Sequence, residues 1–496
     1  MKLKIKLMKW ATGFPVVMLN EITAQNLGVH TKDRLLIKTL NPPYRSISTV
    51  IDTVQGLVGK NELGVSIELK ERLGLKIGQK VEVCLASPPK SLFLIKKKLD
   101  GHNLSFSEIS EIIEDIVSNS LSEPETALFI AAMYEKGMNF RETIYLIKSI
   151  LKSGKMLKLT GKKMVYIVDK HCIGGIPGNR TTPIVVAICA AAGLIMPKSS
   201  SRAITSAAGT ADVIETIADI EFSMDEVKKI IKKTNACLVW GGALEMVPAD
   251  SKIIKIEKML KIDPKAQLLA SIMSKKLALG SKYILIDIPY GVNAKVSYTK
   301  ALKLKKDFER IGKYFRKKIK VVLTDGSEPI GNGIGPALEL VDVIRVLSPN
   351  NEGPSDLRKK SLFLAGEIFE LTKKCKKGEG INLAEKILNS GEAFCKFKEI
   401  IKAQRGNINK IKIAKFKKDI FANKNGKIKE IHNKKINSLA RVAGCPVDKS
   451  SGLFLYVHLL NKVKKGDKLL TIYSESESRL KEAIKYYNEK KPIIIR

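Results

Sequence analysis

Lys170, His171, Arg180, Thr181 and Thr182 stand together in VDKHCIGGIPGNRTTP, residues 168–183, a stretch in which glycines interrupt a charged and hydroxylated run. These residue types suit an oxyanion. Glycine lets backbone N–H groups approach a ligand, a helix N-terminus adds its unpaired donors, and a lysine or arginine supplies a full charge. Upstream, MVYIV (164–168) reads as a short buried strand, and downstream PIVVAICAAAGLIM is apolar to near Gly193. Thr182 is then the expected N-cap, with Pro183 at the first helical position. A second polar loop, PKSSSRAITSAAGTADVIE, ends in another expected N-cap, Thr210, with Asp212 in the first turn. Arg202 in that loop can hold a phosphate through two N–H groups, where a lysine acts as a point charge.

Two better-known phosphate loops do not fit. The nucleotide-triphosphate loop needs Gly-Lys-Ser/Thr where this chain has Asn179-Arg180, and neither this turn nor IGNGIGPALEL, where Pro336 follows Gly335, has the G-x-G-x-x-G spacing. A third candidate region is LKIDPKAQLLASIMSKK. Asp263 before Pro264 reads as a helix N-cap. Positions 263, 267, 271 and 275 drift only about 40° per step around a helix, so Asp263, Ser271 and Lys275 share one face.

The elements that must carry these residues can be read in turn. GVHTKDRLLIK from Gly28 and GLKIGQKVEVC from Gly74 repeat one turn-then-strand pattern, each after a short amphipathic stretch. Two such halves suggest a small pseudo-symmetric β-barrel over residues 1–90, and the stretch resembles the double-psi barrels at the front of several larger proteins, which implies an assembly module more than a catalytic one. From Leu104 the period turns helical, and Ser105 with Glu108 and Asn139 with Glu142 form capping boxes. Strands YILIDI (283–288) and KVVLTDG (320–326) alternate with helices, which argues a mixed α/β sheet domain. From about 411 the pattern is strands with one internal and one closing helix, read as a separate C-terminal α+β unit.

With 496 residues, 44% hydrophobic content and mean hydropathy of −0.03, the chain has the composition of a globular protein with full cores. MKLKIKLMKW lacks the apolar block of a secretory signal, and the longest apolar run, Ile184 to Met196, is too short to span a bilayer, so a cytoplasmic protein is expected. Seven scattered cysteines without C-x-x-C and five scattered histidines point to reduced thiols and no metal site. The net charge of +37 favours anionic partners. Aromatics at 6%, with no interleaving among the lysines, speak against nucleic acid.

KHCIGGIPGNRTT, SSSRAITSAAGTAD, WGGALEMVPAD, ASIMSKKLALG, DIPYGVNAKV and ARVAGCPVDKSSGLFL, in that order, resemble the motifs of the thymidine phosphorylase family from about residue 96 to the end. The match is closest to its archaeal branch, the AMP phosphorylases, which carry an extra N-terminal domain. The resemblance implies phosphorolysis of AMP, with CMP and UMP as further substrates, without cofactor or metal, by a homodimer or larger homo-oligomer. The alternatives are a pyrimidine or purine nucleoside phosphorylase and, less favoured, a non-catalytic basic nucleic-acid-binding scaffold, and neither membrane nor nucleic acid is expected as a partner. It implies a helical domain over 96–165 with a return segment at 251–280, an α/β domain over 166–250 and 281–410, and a C-terminal domain over 411–496. By the same resemblance Asp263 is the proton donor. Gly175, Ser201, Arg202, Ala203, Ile204, Thr205, Ser206, Thr210, Ser271 and Lys295 bind substrate, and Lys170, Thr182, Ser200 and Lys275 hold phosphate. Cys172 replaces a serine usual in the family, exchanging a good hydroxyl donor for a weak S–H donor. Ile256 replaces an arginine that grips pyrimidines, and the longer GGIPGN turn also points to the nucleotide branch.

Overall fold

Alternating charged and apolar residues at the N-terminus build strands with one face inward. In the computed structural model, which describes residues 1–8, 16–159, 166–203, 206–350 and 352–496, they are β1 (Lys2–Leu7), β2 (Val17–Asn20), α1 (Glu21–Leu27), β3 (Arg34–Thr39), β4 (Ser46–Val54), β5 (Glu62–Val65), α2 (Ile67–Leu73) and β6 (Lys80–Leu85). The strands close into a six-stranded barrel in the order β1-β5-β2-β4-β3-β6, with β6 pairing back onto β1. Leu3, Ile5, Leu19, Leu35, Ile37 and Val83 fill its interior. The repeated sequence pattern is the pair α1 and α2, each ended by a glycine at φ 65°, Gly28 and Gly74. Only a residue without Cβ takes that left-handed geometry cheaply.

Four helices follow: α3 (Ser91–Leu99), α4 (Phe106–Ser118), α5 (Glu123–Glu135) and α6 (Phe140–Lys152). Both expected capping boxes are present, and Ser122 with Glu125 makes a third at the start of α5. Arg34 of the barrel donates to the Ser120 carbonyl and to Glu125, tying barrel and helices together. Residues Met1–Gly154 and Val247–Ser271 form one compact unit.

The second unit comprises Lys155–Met246 and Ile272–Arg496. Along the chain come β7 (Val168–Cys172), α7 (Thr181–Ala191), β8 (Met196–Ser200), α8 (Thr210–Ile214), α9 (Met224–Thr234) and β9 (Ala236–Trp240). Next are α10 (Pro248–Leu260) and α11 (Lys265–Ala278), with the division between units falling after Ser271. Then follow β10 (Tyr283–Tyr290), α12 (Tyr298–Tyr314), β11 (Lys318–Asp325), β12 (Gly333–Ile334), α13 (Pro336–Leu347), α14 (Ser355–Leu371), α15 (Gly380–Asn389) and α16 (Glu392–Ala403). β11-β10-β7 and β8-β9 are parallel, and a parallel bridge from Ile167 to Ile195 links them. Every pairing in this layer is parallel, so the sheet is not a mixed one. Its strands alternate with helices that cover them, which is the usual setting for parallel strands.

The C-terminal residues form β13 (Phe416–Phe421), β14 (Gly426–Ile431), α17 (Asn433–Ala443), β15 (Gly452–Leu455), β16 (Lys462–Val463), β17 (Lys468–Ser474), α18 (Glu477–Lys490) and β18 (Ile493–Ile495). β12 of the preceding segment joins their sheet, in the order β12-β15-β17-β13. The glycine-rich stretch around Gly333 thereby stitches this part to the α/β layer. Among the described residues no helix is long and apolar enough to cross a membrane.

Candidate active site

The motif VDKHC is itself strand β7, so Lys170 and His171 sit on a strand and not in the glycine turn. Of the expected strand 164–168, Met164 and Val165 lie outside the described residues and only Val168 belongs to β7. Successive residues of a strand face opposite ways. Asp169 is fully buried between two ammonium groups, Lys198 Nζ at 3.2 Å and Lys276 Nζ at 2.6 Å. Lys170, on the other face, is 1% exposed and donates to Thr181 Oγ1 at 2.7 Å and Thr182 Oγ1 at 3.5 Å. That contact brings Lys170 to the first turn of α7, which starts at Thr181 with Arg180 at the cap position, ahead of the expected Thr182. Desolvation lowers the Lys170 ammonium to about 8.

Lys198 Nζ also donates to the Lys170 carbonyl at 2.9 Å. Burial, then the charges of Lys276, Lys198, Lys275 and Lys170, hold His171 well below its ordinary value, so its imidazole is neutral at pH 7. Burial likewise lowers Lys276 to about 7 against the pull of Asp169. On one face of β7 Asp169 meets Lys198 and Lys276, and on the other Asp287 meets Lys360 beside Lys170. The Ser199 and Ser200 hydroxyls at the end of β8 are buried without a hydrogen-bond partner among the described residues. A surplus of buried positive charge beside orphaned hydroxyls is an arrangement an anion completes.

The glycine turn follows. Gly175 has φ 96°, and a Cβ there would lie 3.0 Å from the Lys295 Cβ, so the turn and the GVNAKV loop meet at these two expected residues. Gly209 plays the same part in the second loop, where a Cβ would lie 2.5 Å from the Ser201 carbonyl and 2.7 Å from the Ala203 nitrogen. Asp212, not Thr210, caps α8: its carboxylate accepts from Gly209 N at 2.8 Å and Ala203 N at 2.7 Å, and Gly209 is the cap residue. Ser206 donates to the Ala208 carbonyl. Ile204 and Thr205 lie outside the described residues.

Both arginines expected near a phosphate are held by the protein's own groups. Arg180 donates from Nε to Glu339 at 2.7 Å, from one terminal nitrogen to Thr210 Oγ1 at 2.8 Å, and from the other to the Ala208 carbonyl at 2.9 Å. It thus joins the start of α7, the second loop and α13. Arg202 lies between Glu215, Glu221 and Asp212 with its guanidinium 4.9 Å above Trp240. Arg180→Lys keeps the charge but puts its donors on one nitrogen, which cannot span Glu339, Thr210 and the Ala208 carbonyl as the planar guanidinium does, and it leaves buried Glu339 poorly paired. We expect about 2–4 kcal/mol of lost stability, read as a drop in the thermal midpoint.

In the other unit, Leu268 N donates to the Pro264 carbonyl at 2.9 Å, so Pro264 stands at the cap of α11 and exposed Asp263 just ahead of it. Gln267, on the face predicted to carry Asp263, Ser271 and Lys275, is fully buried and donates to Asp250 of α10 at 3.0 Å. Ser271 and Lys275 are half-buried on that same helix. Missing from the sequence reading are Asp169, Lys198, Lys276, Asp287 and Lys360. Alternation along VDKHC would split Asp169 from Lys170; nothing local marks the rest.

A helical bundle and a parallel layer with a lysine-rich strand end correspond to known glycosyl-transferring domains. Residues 93–154 match the Glycosyl transferase family, helical bundle domain; 164–394 match the Glycosyl transferase family, a/b domain; 427–493 match the Pyrimidine nucleoside phosphorylase C-terminal domain. Among solved structures, anthranilate phosphoribosyltransferase from Thermus thermophilus shares the fold at a TM-score of 0.52 and 19% identity, covering 63% of this chain and 99% of that one. AMP phosphorylase from Thermococcus kodakarensis is 42% identical over 501 residues, covering 100% of this chain and 98% of that protein. The Methanococcoides burtonii AMP phosphorylase is 40% identical over 500 residues, covering 100% and 97%. The chain belongs to the AMP phosphorylase family of nucleoside phosphorylases.

Proposed function

We propose that this protein phosphorolyses AMP, converting AMP and inorganic phosphate into adenine and ribose 1,5-bisphosphate. The C1′–N bond to the base breaks, a phosphate oxygen bonds C1′, and a proton goes to the departing purine. The observation that carries the reading is Lys170, buried against the Thr181 and Thr182 hydroxyls at the first turn of α7. Phosphate is a modest nucleophile, and fixing it beside an opening glycosidic bond is where such a cradle accelerates the reaction. Thr182, Ser200 and Lys275 share the phosphate with Lys170. Gly175, the loop from Ser201 to Ser206, Thr210, Ser271 and Lys295 hold the nucleotide. Asp263 is the general acid. CMP and UMP are the next substrates in line.

Parallel pairs β1-β5 and β2-β4, which relate the two halves of the barrel, support the double-psi arrangement; the proposed role of this module is assembly of a cytoplasmic homo-oligomer. The functional division follows residues 1–90, 96–165 with 251–280, 166–250 with 281–410, and 411–496. Incubation with AMP or adenosine at equal concentration, with and without phosphate, tests the reading by chromatography. We expect adenine and ribose 1,5-bisphosphate from AMP only when phosphate is present. Equal adenine release from adenosine would make the enzyme a nucleoside phosphorylase instead.

A further inference from the structure

Lys360, on α14, carries no motif and lies far along the chain from either polar loop. Its side chain is nevertheless nine-tenths buried, and its Nζ makes no hydrogen bond among the described residues. The nearest charge is Asp287 Oδ2 at 3.3 Å, an oxygen that also lacks a hydrogen bond. An ammonium has three donors, and desolvating it with all three unused is costly. The other carboxylate oxygen, Asp287 Oδ1, accepts from Thr324 Oγ1 at 2.6 Å, which holds the carboxylate in place.

Asp287 on β10 stands directly opposite Cys172, the last residue of β7, and the Asp287 carbonyl accepts from Ile173 N at 3.1 Å. The Lys360 head therefore points at the face of β7 that bears Lys170 and Cys172. The titrations of both residues feel Lys360 and Asp287. On this face two ammonium groups meet one carboxylate. Parallel sheets hold ligands at the carboxyl ends of their strands, which is where this surplus charge lies.

We propose that Lys360 is a second phosphate-binding lysine, forming with Lys170 a two-lysine cradle in which Asp287 and Thr324 park the Lys360 ammonium until the oxyanion arrives. That the anion is the reaction's inorganic phosphate rests on the phosphorolysis reading. A purely structural Lys360 would serve only to neutralise Asp287.

A double-mutant cycle separates the two roles. Phosphate affinity of the full chain is measured by calorimetry for the wild type, Lys360→Met, Asp287→Asn and the double variant, alongside KM for phosphate and for AMP. The proposal expects Lys360→Met to weaken phosphate at least about tenfold in either background, the loss of one charge-assisted contact, with KM for AMP changed less than about threefold. Lys360→Arg should recover part of the loss. If Lys360→Met leaves phosphate affinity unchanged in the Asp287→Asn background, or raises both KM values equally, the proposal is overturned. Should Lys360→Met alone not fold, the comparison of the double variant with Asp287→Asn still decides, because both of those lack the buried carboxylate charge. A wild type that binds phosphate but releases no adenine from AMP would refute the phosphorolysis reading and leave the Lys360 result standing. A wild type that binds no phosphate would refute the cradle itself.

Discussion

Asp263→Asn is expected to lower kcat for AMP phosphorolysis by about 10²- to 10⁴-fold, the usual contribution of a positioned general acid. A purine is a poor anionic leaving group. The amide keeps the shape and an acceptor oxygen but has no transferable proton. Because α11 is capped at Pro264, the substitution falls one residue outside the helix and should shift the thermal midpoint little. Asp263 is exposed. AMP affinity by calorimetry should stay within a few-fold of wild type. A variant that releases adenine at the wild-type rate removes Asp263 from the acid role.

Lys170→Met should raise KM for phosphate about 10- to 100-fold, the worth of a charge-assisted contact, and should also stabilise the ligand-free protein. The two effects share one cause. A buried ammonium held mainly by two neutral hydroxyls is costly until an anion arrives. The pH dependence carries the same signature with opposite signs. With its folded value lowered to about 8 against 10.5 unfolded, Lys170 subtracts stability while protonated, and that deficit shrinks as pH rises from about 8 towards 10.5. Phosphate binding needs the proton, so KM for phosphate should climb above pH 8 while this group's contribution to ligand-free stability improves. A flat phosphate KM between pH 7 and 9.5 would show that Lys170 does not bear the charge that binds it.

Local patterns are legible in the sequence, and long-range pairings are not. Ser105 with Glu108 and Asn139 with Glu142 cap their helices because a capping box needs only residues three apart. YILIDI is a strand because a nearly continuous apolar run suits one buried on both faces, and most of KVVLTDG is the edge strand, buried only at Val321 and Val322. VDKHC reads as the start of a glycine-rich turn because glycines follow it closely, yet it is a largely buried strand. Asp169 is neutralised by Lys198 and Lys276, which come from β8 and α11, and no window around residue 169 contains them. The motif blocks lead to Lys170, Gly175 and Lys295, whereas Lys360 reads as one more lysine on an amphipathic helix until α14 is laid beside β10. The caps of α7 and α8 fall earlier than Thr182 and Thr210 for a similar reason. Arg180 and Gly209 hold those positions through contacts with Glu339 and Ser201, which sequence spacing does not reveal.

Closure of the N-terminal strands into a ring limits how that module can recruit anything. Because β6 returns to β1, the ring presents, among the described residues, no open seam of backbone donors and acceptors for a visiting strand to extend. Whatever docks there must recognise the outward side chains of the staves and of the two short helices, so recruitment can be retuned by point changes on the outer wall without disturbing the hydrogen-bonded hoop beneath.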